Sequence, residues 1–157
     1  MILATCLSAT IIVLMVIVLL PKNMLINELI FNFMIVVYLH IVVFGIISAN
    51  LNLISVSTDS EKAISYMFIR FILYPVLILF FLQIYLKLHT FLVKIFAAFA
   101  CALILAFIDA ALRSVGILIF TNWQITGLIA AWFVFLLVCL LIMKGFRHLT
   151  EKEVYPR

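Results

Sequence analysis

The sequence predicts an all-α, polytopic membrane bundle of five transmembrane helices, with the N-terminus outside the cytoplasm and the C-terminus inside. Three observations predict it. Apolar residues make up 69% of the 157 and charged residues only 10%, against roughly 45–50% and about 25% in an average soluble domain. Sixteen charged side chains cannot clothe a water-facing surface of this size. The apolar residues fall into five runs long enough to span a bilayer, and Lys and Arg gather on one side of those runs. The length fits a single membrane domain over residues 1–157.

A hydrocarbon core about 30 Å thick needs about 20 helical residues. The runs at about 2–20, 29–49, 64–86, 92–114 and 125–143 meet that need. The first could be a cleaved leader, but no basic residue precedes it and Pro21-Lys22-Asn23 is not a small-residue cleavage site. A retained span is expected. Residues 50–63 form the only long polar connection, while residues 115–124 carry no charge. Too short to span, residues 115–124 are expected to lie along the interface, with Trp123 anchoring the entry to the fifth span.

Orientation follows from the basic residues. One side holds Lys22, Lys87, Lys94, Lys144, Arg147, Lys152 and Arg157, and the other holds Lys62 alone. Cytoplasmic flanks carry the excess of Lys and Arg, which places the C-terminus inside. The net charge of +4 is therefore explained by topology, and no nucleic-acid partner is expected.

Three ionisable residues remain within spans: Arg70, Asp109 and Arg113. Each costs about 2.5–3.5 kcal/mol to insert, so each needs a partner or a water-filled cavity. At a rise of 1.5 Å per residue, Arg70 lies about 9 Å and Asp109 about 7 Å below the outer boundary, with Arg113 near it. Asp109 and Arg113 are four residues apart and share a helix face. Ala98, Ala102, Ala106, Ala110 and Ser114 recur every fourth residue, a small-residue stripe that lets membrane helices approach closely. The third and fourth spans are therefore expected in contact, with Arg70 reaching Asp109. Tyr66 and Tyr74 extend the polar stripe on either side of Arg70. Pro75 removes a backbone donor and is expected to free the carbonyl of Phe71.

Two readings of Arg70, Asp109, Arg113, Tyr66 and Tyr74 stand together. The charges form an internal ion network that fixes helix register. Alternatively, two arginines against one aspartate make an anion site facing the outer leaflet, suited to phosphate or carboxylate. His40, central in the second span, is a weaker candidate. It could relay protons, or sit neutral against a nearby carbonyl or hydroxyl. Glu28 suits the positive end of the second helix and needs no other role.

Cys6, Cys101 and Cys139 lie in different runs without paired spacing. No phosphate loop, HExxH helix or nucleophile elbow occurs, so neither metal nor cofactor is expected and catalysis is disfavoured. The run Arg70-Phe-Ile-Leu-Tyr-Pro75, the charged fourth span with Asp109 and the Trp-bearing entry to the fifth span support a resemblance. From about residue 62 to 146 the chain resembles small multipass proteins of low-GC Gram-positive bacteria that lack an assigned function. That resemblance implies a bacterial cytoplasmic membrane and no known activity.

Three functions fit these residues. The first is a non-catalytic subunit or accessory protein acting through partner proteins. The second is an oligomeric binding or transport protein that recognises an anionic lipid headgroup or small anionic solute from the outer leaflet. The third is a membrane enzyme acting on lipid headgroups.

Overall fold

The structure, a computed structural model, describes residues 2–19, 26–121 and 124–154. Trp123, Lys22 and Arg157, used above for anchoring and orientation, lie outside the described residues. The helices are α1 (Ile2–Leu19), α2 (Ile26–Gly45, continued by a π-turn over Ile46–Asn50), α3 (Ser60–Phe68), α4 (Tyr74–Lys87), α5 (Phe91–Ser114) and α6 (Ile125–Val154). A second π-turn, Ile69–Leu73, joins α3 and α4 into one rod. Four segments are long and apolar enough to cross a membrane: Ile26–Asn50, Ser60–Lys87, Phe91–Ser114 and Ile125–Leu149.

These four rods close into a ring. Helix α2 packs on α4 and α6, and α5 packs on the same two helices, while α1 lies outside against α3 and α4. The small-residue stripe helps set the approach, since Ala98, Ala102 and Ala106 of α5 are all buried. Much of the outer surface is apolar: Phe107 is 75% exposed, Leu92 74% and Met34 66%. An apolar exterior around a filled interior is what lipid solvates and water does not.

Each rod has a local reason for its bounds. The side chain of Asp59 accepts the backbone N–H of Glu61 and starts α3. At the end of α5, Gly116 takes φ +72°. Gly116 N–H then donates to the Arg113 carbonyl and Ile117 N–H to the Leu112 carbonyl. With Ile117 and Leu112 both buried, this is a Schellman stop, and glycine supplies the left-handed turn without a Cβ penalty. Helix α6 runs eleven residues past the 125–143 segment read from hydropathy, to Val154. Polar residues end an apolar run but need not end a helix.

Residues 115–121 of the uncharged connection do more than lie along the interface. Leu118–Phe120 forms strand β2, antiparallel to β1, Ile54–Val56, with Ser55 opposite Ile119. Ser57 N–H to the Ile117 carbonyl and Thr121 N–H to the Leu53 carbonyl extend the pairing. The pairing satisfies backbone groups that an uncharged loop would otherwise leave open. This ribbon ties the α2–α3 connection to the α5–α6 connection and marks one end of the bundle.

Candidate functional site

One side chain from each rod of the ring meets in its interior near the ribbon end. They are His40 (α2), Tyr74 (α4), Asp109 (α5) and Trp132 (α6). The carboxylate of Asp109, 5% exposed, accepts from the Tyr74 hydroxyl on one oxygen. Its other oxygen accepts from Trp132 Nε1 at 2.6 Å. His40, also 5% exposed, stacks on the Trp132 ring with centroids 5.5 Å apart and meets Tyr74 edge-on at 5.1 Å. A buried carboxylate is tolerable when its lone pairs are filled, and here two donors aim at it.

The expected contact between Arg70 and Asp109 is not formed. Arg70 instead donates from Nη2 to the Ile41 carbonyl at 3.2 Å, and its guanidinium sits 4.4 Å above the Phe44 ring centroid. Phe71 lies at 5.9 Å. The buried Nε of Arg70 has no hydrogen-bond partner among the described residues. Arg113 is exposed, with its guanidinium 5.3 Å from the Phe120 ring of the ribbon. Among the described residues neither arginine pairs with a carboxylate. Tyr66 is buried against Phe44, with centroids 5.4 Å apart.

The π-turn at Ile69–Leu73 has a local cause in Pro75. Pro75 has no N–H, and in regular α geometry its ring would strike the Phe71 carbonyl. Widening the turn relieves that clash, and Tyr74 N–H reaches back five residues to the Ile69 carbonyl. On this spacing Pro75 stands where a donor to the Arg70 carbonyl would be, so the freed acceptor moves from Phe71 to Arg70. The imidazole of His40 lies close enough to interact with both the backbone and the guanidinium of Arg70. Its buried Nδ1 makes no hydrogen bond among the described residues.

Beside these groups a crevice of about 50 Å³ opens between α2 and α6, walled by His40, Phe44, Ile47, Trp132 and Phe135. A larger groove of about 380 Å³ follows the same two helices, sharing Val43, Ala131 and Phe135 with the crevice. Trp132 was missed by sequence reasoning because it read as one more apolar residue in a span. The available signal was its indole N–H, which must find an acceptor when buried.

At the opposite end of the bundle, α2 and α6 meet again. Arg147 Nε lies 3.6 Å from Glu28 Oε1, so Glu28 has a role beyond the helix dipole. Phe31 and Phe146 stack with centroids 3.8 Å apart. Lys94 and Lys144 place their ammonium groups 5.2 and 5.6 Å from the Tyr85 ring.

Among the described residues no three His, Cys, Asp or Glu side chains are grouped to hold a metal ion. No protein-family model matches the chain, and no curated protein or solved structure does so.

Proposed function

We propose that the chain is a non-catalytic integral protein of a bacterial cytoplasmic membrane that recognises an anionic group from the outer leaflet through Arg70. It crosses five times, with α1 as the first span, the N-terminus outside and the C-terminus inside. The observation that carries this reading is the separation of acid from base. Asp109 is filled by Tyr74 and Trp132, and the Arg70 charge faces no carboxylate among the described residues. A guanidinium inside a span is costly unless something neutralises it, and a phosphate or carboxylate does so in fork geometry. The bacterial membrane rests on the resemblance, and the orientation on the basic residues at the end opposite the ribbon.

The test is mass spectrometry of protein purified in mild detergent from native membrane. Wild type is expected to retain an anionic lipid or solute that Arg70→Gln loses while still folding and Arg70→Lys keeps in part. Equal anion content in wild type and Arg70→Gln would overturn the reading. For orientation, single cysteines at Ser57 and Thr150 in a background lacking the native cysteines should differ, with only Ser57 labelled from outside. Labelling of both from outside would overturn it.

A second reading, an accessory subunit acting through partner proteins or its own copies, is favoured by one face of α5. Leu92, Phe96, Phe99 and Phe107 project outward together on that face. A membrane protein that co-purifies with wild type and is lost on Phe96→Ala would favour this second reading.

A further inference from the structure

We infer that the ligand of the Arg70 site is an anionic lipid rather than a free anion, its headgroup held at His40 and Arg70 and one acyl chain laid in the groove between α2 and α6. This deepens the function proposed above and rests on it.

Three features meet in one place. One wall of the crevice is a buried polar side chain: His40 is 5% exposed, and its Nδ1 makes no hydrogen bond among the described residues. Arg70 is not itself a wall of the crevice, but its guanidinium lies on Phe44, which is, and its buried Nε also makes no hydrogen bond among the described residues. A buried N–H without a partner is destabilising, and an anionic oxygen can accept from an imidazole or guanidinium N–H.

The second feature is the apolar groove that continues the crevice, lined by Leu39, Val43, Ala130, Val134 and Val138. Its volume of about 380 Å³ is in the range of small-molecule sites. A tailless anion would leave this groove unused. The third feature is direction. The crevice reaches Ile47, toward the ribbon end of α2, while the groove reaches Leu39 of α2 and Val138 of α6, deeper along both helices. Headgroup toward the ribbon and tail toward the bilayer centre is how a lipid of that leaflet stands.

Trp132 lines the crevice and supplies the readout. With Trp123→Phe as background, the protein is placed in phosphatidylcholine vesicles carrying a fixed fraction of phosphatidylglycerol or phosphatidylcholine with brominated acyl chains. Brominated phosphatidylglycerol is expected to quench Trp132 at least twofold more than brominated phosphatidylcholine. Arg70→Gln should abolish that preference, and Arg70→Lys should keep part of it. Ala130→Phe, which fills the groove without touching Arg70, should abolish it as well. Millimolar inorganic phosphate should leave the preference intact. Equal quenching by both lipids in the parent protein overturns the inference. Loss of the preference in Arg70→Gln but not in Ala130→Phe, or displacement by phosphate, leaves anion recognition standing and overturns the lipid. An unchanged Trp132 emission maximum and a single gel-filtration peak identify variants that have folded.

Discussion

The two ends of the bundle treat charge in opposite ways. At the end away from the ribbon, Glu28 meets Arg147 across α2 and α6, and Lys94 and Lys144 each lie against the Tyr85 ring. Basic groups there find a carboxylate or a ring, as a structural brace does. At the ribbon end an acid and an arginine belong to neighbouring rods and do not pair. Asp109 takes two neutral donors, and Arg70 takes a carbonyl and a ring. Proximity of opposite charges in a sequence is therefore no guide to pairing when neutral donors of better geometry stand closer. One end closes an acid on a base; at the other, the acid ties three rods through neutral donors and the guanidinium meets no carboxylate among the described residues.

The contrast can be broken most forcefully at Asp109. Asp109→Ala strands the Tyr74 hydroxyl and the Trp132 indole N–H in an apolar interior and separates three rods at their meeting point. Mutational costs of an unmet buried donor and the weaker values found for membrane proteins together give a loss of about 1–4 kcal/mol. Thermal unfolding in mild detergent should show a clearly lowered midpoint, with Asp109→Asn intermediate because its amide oxygen still accepts one bond. A midpoint unchanged in Asp109→Ala would mean that the carboxylate does not hold the ring together.

At the opposite end the expected effects are smaller. Phe146→Leu keeps apolar bulk but removes the stacking on Phe31, for a loss of about 0.5–1.5 kcal/mol. Arg147→Ala removes a partly solvated ion pair, for a loss of about 0.2–1 kcal/mol that salt should diminish. The same unfolding assay measures both. If Arg147→Ala cost more than Asp109→Ala, the Asp109 carboxylate would not be the stronger of the two ties between the rods.

The bundle was more legible in the sequence than the site because of what each depends on. Bilayer thickness sets helix length, so an apolar run such as 92–114 nearly coincides with α5, Phe91–Ser114. Packing then follows from small residues such as Ala98 and Ala102, whose spacing shows in the sequence. The ribbon did not show, because three-residue strands carry no usable period and pair only once the rods bring Ile54 and Phe120 together. The polar cluster was half visible. Asp109 and Tyr74 stood out by type, but which side chain each meets depends on helix rotation, and the π-turn before Pro75 shifts that rotation partway along the rod. No count at 100° per residue from Tyr66 through Arg70 to Tyr74 survives such a turn.

The smallest expected effect separates the two readings of the charges most cleanly. Had Arg70 and Asp109 formed an ion pair in an apolar interior, removing either would strand the other, and a double-mutant cycle between them would show a coupling of several kcal/mol. With Asp109 bonded to Tyr74 and Trp132, and Arg70 to the Ile41 carbonyl and Phe44, the two substitutions touch different partners. Arg70→Gln and Asp109→Asn, made singly and together and measured by unfolding in lipid-free detergent, should therefore add to within about 0.5 kcal/mol. Coupling well above that value would restore the ion network and leave Arg70 no spare charge for a ligand. Additivity in detergent, combined with a stabilisation by phosphatidylglycerol that Arg70→Gln alone removes, would place the function of that charge outside the protein.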